Sequence, residues 1–483
     1  MVVVETLAKD LSTATKNGYF LNDDDRQALH RLGLEKTKVA VVIRQKRCFF
    51  MNLFDLKEKK PKDVALVAFV PEKSKKNIRP AEESCFDRIV FYDVSNSENT
   101  FDGLTCYEDV RLPNLHKFVD ELVTLVPKEK ITLIHTEEAS TPEVCRVREK
   151  HGLSGAYMDD VDRLCRKERV AEIAEKAGIP VAKTVFLDFS TRPNRCQILD
   201  KIMAKIQTFP MFAKPNRMAG GQGTTKLQNR KALERWIDKH LKAEDSSTYV
   251  VQEYLTGREF SFSFVLLQDG TWKPLRVKYN FKGVSNYAGG FQGRPMLNMC
   301  RTFENAKNGE FPGLEEFTDK VLKAFKPLHP HVMFYQAFQS FDNPRLYYLN
   351  ELGYRPPGGD PSDIPTYYIC GSNSFTALLL CHMDSNYIPT PNPSWQQKIY
   401  TNIYFSFVKG RLISQNPFPQ KPPIEGDLKG EWYVKPGEEV PEAKHMTDRI
   451  LKMVLVSASE EEQDRDLTWI FENWKPDMEV FDC

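Results

Sequence analysis

At 483 residues the chain exceeds one ordinary domain, and roughly 150 residues per domain predicts three. Its 67 lysines and arginines against 66 aspartates and glutamates leave a formal charge of +1, which offers no bulk field for nucleic acid or an anionic membrane, so any anion site has to be local. Ten cysteines without a CxxC pair or metal-ligand spacing, only three valines in a row near the N-terminus, and no apolar run of roughly 18 residues predict a cytoplasmic protein with reduced thiols, neither secreted nor membrane-spanning.

Residues 1–35 read as polar and helical, with Asn22 or Asp23 as a cap. From there apolar runs alternate with helical patterns: KVAVVI (38–43), DVALVAFV (63–70) and RIVFYDV (88–94) as strands, HKFVDELVTLV as a helix, ITLIH (131–135) as a strand and TPEVCRVREKHG as a helix. That alternation predicts a parallel sheet with helices on its faces. A dinucleotide-binding oxidoreductase is excluded, because the turn after the first strand, RQKRCFF, has no glycine to admit a pyrophosphate. A domain boundary is placed near residue 155. Beyond it comes one long helix, DDVDRLCRKERVAEIAEKAG, ending at Gly178, then the strand in IPVAKTVFLDF and the helix QILDKIMAKIQ.

The stretch PMFAKPNRMAGGQGTTK (210–226) follows. Three glycines, Gly220, Gly221 and Gly223, fall within four residues, and such spacing lets backbone N–H groups turn toward a polyanion. A glycine cluster alone is better explained as a hairpin tip; Lys214, ending an apolar strand beside the loop, points to phosphate. A helix (RKALERWIDKHLK) and a strand (TYVVQEYL) close this unit. The hairpin EFSFSFVLLQDGTWKPLRVKYN turns at Asp269-Gly270, and two glycine-rich stretches, 287–295 and 351–361, bracket a helix (GLEEFTDKVLKAF) and a strand (VMFYQAFQSF). In YYLNELGYRPPGG, Glu351 and Arg355 lie four residues apart, so an extended strand presents both on one face, ahead of Gly358-Gly359. After about residue 390, strands alternate with proline-rich loops and end in the helix EEEQDRDLTWIFENW.

Over residues 36–385 these motifs, in this order, resemble the ATP-grasp superfamily, in its biotin carboxylase-like and carboxylate-amine ligase branch. The resemblance implies an α/β and α+β architecture: an N-terminal parallel-sheet domain (1–155), a two-subdomain ATP-grasp domain (156–385) and a C-terminal α+β extension (386–483). It implies ATP phosphates on Lys167, Lys214 and the Gly220–Gly223 loop. The adenine edge would meet the hinge at Gln252, Glu253, Tyr254 and Leu255, with the ribose hydroxyls on Glu259. Lys278 and Lys282 compete for a lysine over the acyl-phosphate site, and Arg294 is placed toward the substrate carboxylate. Glu351 is implied to bind Mg²⁺, with Arg355 stabilising the transferring phosphoryl group. Two positions depart from the pattern: Gly353 stands where an asparagine ligand is usual, and Gln336 where a second acidic ligand is usual.

The implied activity is ATP-dependent joining of a carboxylate to an amine through an acyl phosphate, with ATP and Mg²⁺ as cofactors and small molecules as partners, a homodimer being the candidate assembly. Against it stand a nucleotide-binding regulatory protein without turnover, suggested by Gln336 and Gly353, and an ATP-dependent carboxylase or kinase on the same fold.

Overall fold

The computed structural model describes residues 20–44, 53, 55–93, 110–218, 221, 223–243, 247–283, 294–357, 364–391, 398–443 and 448–481. Residues 1–19 of the helical lead-in, the turn at 45–50, Gly220, residues 284–293 and Gly358-Gly359 lie outside them.

The N-terminal apolar runs form strands β1 (Lys38–Ile43), β2 (Val64–Pro71), β3 (Arg88–Tyr92) and β4 (Ile131–His135), all parallel in the order β3-β2-β1-β4. Every residue of β2 is buried, as a strand covered on both faces requires. One face packs against helices α1 (Asp23–Glu35), α2 (Pro113–Leu125) and α3 (Thr141–His151) through Leu29, Phe118 and Val144. Asn22 caps α1 by accepting from the Asp25 N–H at 2.8 Å, and Gly152 ends α3 in the left-handed conformation.

The single long helix expected after residue 155 is instead two, α4 (Met158–Cys165) and α5 (Lys167–Lys176), broken at Arg166, whose φ −81° and ψ 120° are extended. The helical periodicity runs through the break, so sequence alone does not reveal it. Its cause is tertiary: the Lys167 N–H donates to the Asn216 carbonyl at 3.4 Å and the Glu168 N–H to Asn216 Oδ1 at 3.3 Å, so a distant asparagine caps α5.

Next comes an antiparallel sheet, β5 (Thr184–Asp188), β6 (Met211–Pro215), β7 (Thr225–Leu227) and β8 (Thr248–Glu253), ordered β5-β8-β6-β7. Helices α6 (Arg195–Lys205) and α7 (Arg230–Lys242) cover one face, burying Ile198, Ile202, Leu233 and Ile237.

The strand-rich region and the tail build one sheet together. Its strands are β9 (Arg258–Leu266), β10 (Trp272–Asn280), β11 (Met296–Arg301), β12 (His331–Gln339), β13 (Tyr347–Gly353), β14 (Ile399–Ser406), β16 (Asp427–Trp432) and β18 (Arg449–Ser457). The order is β13-β12-β9-β10-β11-β14-β18-β16, so strands beyond residue 390 continue the sheet begun at residue 258. β15 (Gly410–Ser414), β17 (Glu439–Val440) and β19 (Asp477–Val480) make a separate small sheet. On one face, Phe260, Phe262 and Phe264 pack against α8 (Phe303–Asn308) and α9 (Leu314–Phe325). On the other, two helices not anticipated from sequence, α10 (Ile364–Cys370) and α11 (Ser374–Met383), bury Val265, Cys300 and Tyr400 against the N-terminal domain. They cover only one end of that face and leave the other to a cleft. α12 (Glu460–Asn473) packs Leu467 and Ile470 under the tail strands.

Where the units meet, His135, His331 and His382 lie close around Tyr354. The His135 and His331 rings are 4.7 Å apart, and Nδ1 of His331 shares a hydrogen bond with Nε2 of His382 at 2.9 Å. Burial, then Arg148, holds His135 and His382 down to about 3, and burial likewise holds His331 well below its usual value. The native protein therefore refuses protons that the unfolded chain accepts near pH 6.5. Stability is full above that pH and falls as pH drops toward 3, by up to roughly 1.4 kcal/mol per pH unit for each histidine. Urea melts between pH 7.5 and 5.0 should show the loss beginning near pH 6.5; constant stability down to pH 5 would contradict this picture.

Candidate active site

The glycine-loop sheet and the strand-rich sheet face one another across a cleft, joined by the chain from Glu253 to Gly257. Along β6, Met211, Ala213 and Pro215 are buried while Phe212 and Lys214 are half-buried, which is the alternation of a strand with one covered face. Lys214 Nζ donates to Asn350 Oδ1 on β13 at 2.8 Å, a bond that spans the cleft. Enclosure pulls the lysine down to about 8, against the attraction of Glu351 and with the help of Lys167.

Asn350 reaches the cleft because β13 is bulged. Gln336 pairs with Glu351, but the next residue on β12, Ala337, pairs with Leu349, leaving Asn350 as the extra residue. The burial pattern changes phase at that point: Tyr347 and Leu349 are buried before the bulge, Leu352 and Tyr354 after it. Asn350 and Glu351 consequently share the open face despite being neighbours. At Gly353, the expected asparagine position, a Cβ would meet the Phe334 ring at 2.1 Å, so no side chain fits. The bulge supplies an amide three residues earlier, and the ring under Gly353 carries Arg355, whose Cζ is 5.1 Å from its centroid.

Glu351, Arg355 and Lys167 line one pocket together with Glu138, Cys165 and Met218. Arg355 donates through Nε and Nη2 to Glu138 Oε2 at 3.0 and 2.6 Å, which ties the site to the N-terminal domain. Lys167 is 8% exposed and donates to the Met218 carbonyl at 2.9 Å. Its ammonium thus holds the strand of chain entering the glycine loop. Within that loop Gly221 and Gly223 have φ of +76° and +65°, and a Cβ on Gly223 would lie 2.8 Å from Pro215 Cγ. Cys165 is pushed up to about 12 by burial and so stays a thiol.

At the hinge, Gln252 is 5% exposed and donates from Nε2 to Thr184 Oγ1 at 2.9 Å, so its side chain belongs to the sheet rather than to a ligand. Glu253 is anchored too: its N–H donates to the Lys183 carbonyl at 3.1 Å and its carboxylate accepts from the Lys183 N–H at 2.9 Å. Tyr254 lies under Lys226 Nζ at 4.1 Å from its ring centroid. Leu255 is half-buried just past the strand end.

Strand register carries the site across the sheet. Glu351, Gln336, Ser261, Lys278 and Cys300 form one cross-strand row, and Glu259 is on the same face two residues along from Ser261. Burial, then Arg276, brings Lys278 down to about 8, opposed by Glu259, which also acts on Lys214. The next row holds Asn280, Asn298 and Asn402 as partners. Asn298 and Asn402 are each 1% exposed, and their Oδ1 atoms have no hydrogen-bond partner among the described residues. Lys282 and Arg294 are exposed, with Lys282 in the left-handed conformation at φ +51°, so among the described residues neither joins this cluster. Of the two competing lysines, Lys278 is the one on the cleft face.

Glu138, Asn216, Asn298 and Asn402 were not legible as site residues. Glu138 sits in a loop after β4 with no motif, and the asparagines acquire their positions only through strand pairing. Asn350 carried one signal, a polar residue beside Glu351 in an otherwise apolar strand.

An antiparallel α+β unit closing over an antiparallel sheet, behind a parallel N-terminal domain, is the ATP-grasp fold, and this chain has it. Its residues 173–282 match the family model described as D-ala D-ala ligase C-terminus. No curated protein matches the sequence. Among solved structures it is similar to the L-amino acid ligase from Bacillus licheniformis, at 14% identity over 89% of this chain and 95% of that one, with a TM-score of 0.59. The N5-carboxyaminoimidazole synthetase from Staphylococcus aureus complexed with ADP shares 14% identity over 91% and 98% of the two chains, TM-score 0.58. The biotin carboxylase domain dimer of the Hydrogenobacter thermophilus 2-oxoglutarate carboxylase, in complex with MgADP, shares 13% over 91% and 90%, TM-score 0.56.

Proposed function

We propose that the protein is an ADP-forming ligase that joins a small-molecule carboxylate to an amine. The observation that carries this reading is the pairing of Lys214 on the glycine-loop unit with Asn350 and Glu351 on the bulged strand opposite, at 2.8 Å for the lysine–asparagine bond. It sets a cation on one wall of the cleft against oxygen donors on the other, an arrangement suited to transfer of a phosphoryl group. The similarity to an amino acid ligase and to ADP complexes on the same fold supports it.

A carboxylate is a poor electrophile until one oxygen is part of a good leaving group. Its oxygen attacks the γ-phosphorus of ATP and ADP departs; the neutral amine then attacks the acyl carbon, phosphate leaves and the amine loses its proton. We assign Lys214 and the Gly221–Gly223 backbone to the phosphates, with Lys167 holding the loop, and Lys278 and Arg355 to the charge on the transferring group. Glu253, Tyr254 and Leu255 would meet the base, and Glu259 the ribose. Glu351, Gln336 and Asn350 present only oxygen donors of the kind a hard cation takes, so they would hold Mg²⁺, which neutralises phosphate charge when bound. The orphaned acceptors of Asn298 and Asn402 suit N–H groups of the substrate.

Hydroxylamine supplied with ATP, Mg²⁺ and the carboxylate should trap the acyl phosphate as a hydroxamate, with ADP released. Appearance of AMP and pyrophosphate instead would replace this reading with adenylation, and a stable phosphorylated product would replace it with a kinase. The non-catalytic alternative keeps Gln336 as its motive, whereas Asn350 presents an amide on the face where Gly353 has none. Among the described residues no helix is long and apolar enough to cross a membrane and no disulfide is found, and we place the reaction in the cytoplasm, where ATP is made available and thiols stay reduced.

A further inference from the structure

On the side of β9 away from the cleft lies a cavity of about 410 Å³, lined by Arg258, Asn305, Glu310, Ser340, Phe341 and Glu460 among others. That volume falls in the roughly 300–1,000 Å³ range of small-molecule sites. The Arg258 guanidinium rests over the rings of Tyr279 and Phe311, 5.6 and 5.7 Å from their centroids, and makes no hydrogen bond or ion pair among the described residues. The opposite charge is provided by Glu310 and Glu460. Between them lies Arg301, 3% exposed, with Nε 3.6 Å from Glu310 Oε1 and 3.5 Å from Glu460 Oε1. Its Nη2 donates to Gln463 Oε1 at 2.8 Å, while Nη1 has no hydrogen-bond partner. The Tyr279 hydroxyl donates to Glu310 and fixes that carboxylate.

One buried guanidinium thus serves two carboxylates, so the cavity carries a surplus anion at one part of its wall and an uncommitted guanidinium at another. We propose that it binds a small zwitterion, a free α-amino acid, at a site separate from the catalytic cleft. The ligand carboxylate takes Arg258, its ammonium takes Glu310 and Glu460, and its side chain lies along Phe341, which is 67% exposed. Both charges of the ligand are then met, which a simple anion or cation would not achieve.

The site is built into the start of β9. Gly257 has φ +152°, and a Cβ there would meet the Gln339 carbonyl oxygen at 2.4 Å, so only glycine lets this segment seat on β12. Arg258 is the register partner of Gln339, whose Nε2 donates to the Glu310 carbonyl at 2.6 Å. Glu259, the next residue, faces the cleft. The proposed site and the cleft thus meet at two adjacent residues of β9, and any effect of a nucleotide on amino-acid affinity would be returned by the same factor in the reverse direction.

Isothermal titration of the full-length protein with each proteinogenic L-amino acid, without nucleotide, tests the proposal. At least one should bind, and Arg258→Met and Glu460→Gln should each weaken it tenfold or more, as should N-acetylation or methyl esterification of that amino acid. Glu460 is 61% exposed in its side chain, so its variant keeps the test valid if Arg258→Met fails to fold. Absence of binding by every amino acid, or unchanged affinity in Glu460→Gln, overturns it. Binding in the cleft as a substrate would survive the Glu460 variant, so a failure here is distinct from a failure of the ligase reading.

Discussion

Glu351→Gln is expected to lower turnover about a thousand-fold, on the order of 4 kcal/mol of lost transition-state stabilisation, while leaving the melting temperature within a degree or two. The substitution keeps shape and removes the charge that faces Lys214 across the cleft and stands beside Gln336 in the cross-strand row. Mg²⁺ with phosphate oxygens already in its shell needs only one or two protein carboxylates, so on the proposed assignment Glu351 would suffice as the protein anion. Gln336→Glu should then be tolerated and should tighten Mg²⁺ dependence by adding a second carboxylate. Asn350→Ala should cost less than Glu351→Gln and act chiefly on ATP affinity, because it removes the partner of Lys214 rather than an anion. Steady-state rates and Mg²⁺ titrations on the three variants decide the matter, and a Glu351→Gln protein that retains wild-type turnover would show that the metal is held elsewhere.

The parallel sheet was legible because β1 and β2 are nearly continuous apolar runs and strands alternate with helical patterns, and the hairpin at Asp269-Gly270 because its turn residues match its geometry, with Gly270 at φ +81°. Three features were not, each for a tertiary reason. The break at Arg166 depends on Asn216, 50 residues away in sequence, capping a helix whose own N-cap residue supplies no side-chain bond. α10 and α11 went unread, because α11 is buried almost all round and shows no amphipathic stripe. The bulge at Asn350 shifts side-chain parity by one residue, and parity is what a strand reading from sequence assumes to be constant. That last failure matters for chemistry: alignment by spacing put the missing amide at Gly353, where the Phe334 ring leaves no room, while pairing with β12 put an amide at Asn350.

Lys214→Met should weaken ATP binding about 10- to 150-fold, the equivalent of the roughly 1.5–3 kcal/mol that a hydrogen bond to a charged group contributes. It should also remove a pH dependence. Without nucleotide, burial holds Lys214 down to about 8, so the native state carries the cost of the charged form below that pH and is relieved of it as pH rises toward the unfolded value near 10.5. A triphosphate beside the ammonium reverses the balance and restores its proton. ATP binding near pH 8.5 should therefore take up protons, and ATP affinity should fall as pH rises through about 8 to 9. Titration calorimetry in two buffers of different ionisation enthalpy measures the uptake directly. Lys278 is held near 8 by the same enclosure, so the Lys214→Met protein should keep a smaller uptake and the Lys214→Met, Lys278→Met double variant none. Equal uptake in the wild type and the double variant would detach both lysines from the phosphates. A loss confined to Lys278→Met would move the phosphate site from the end of β6 to the middle of β10.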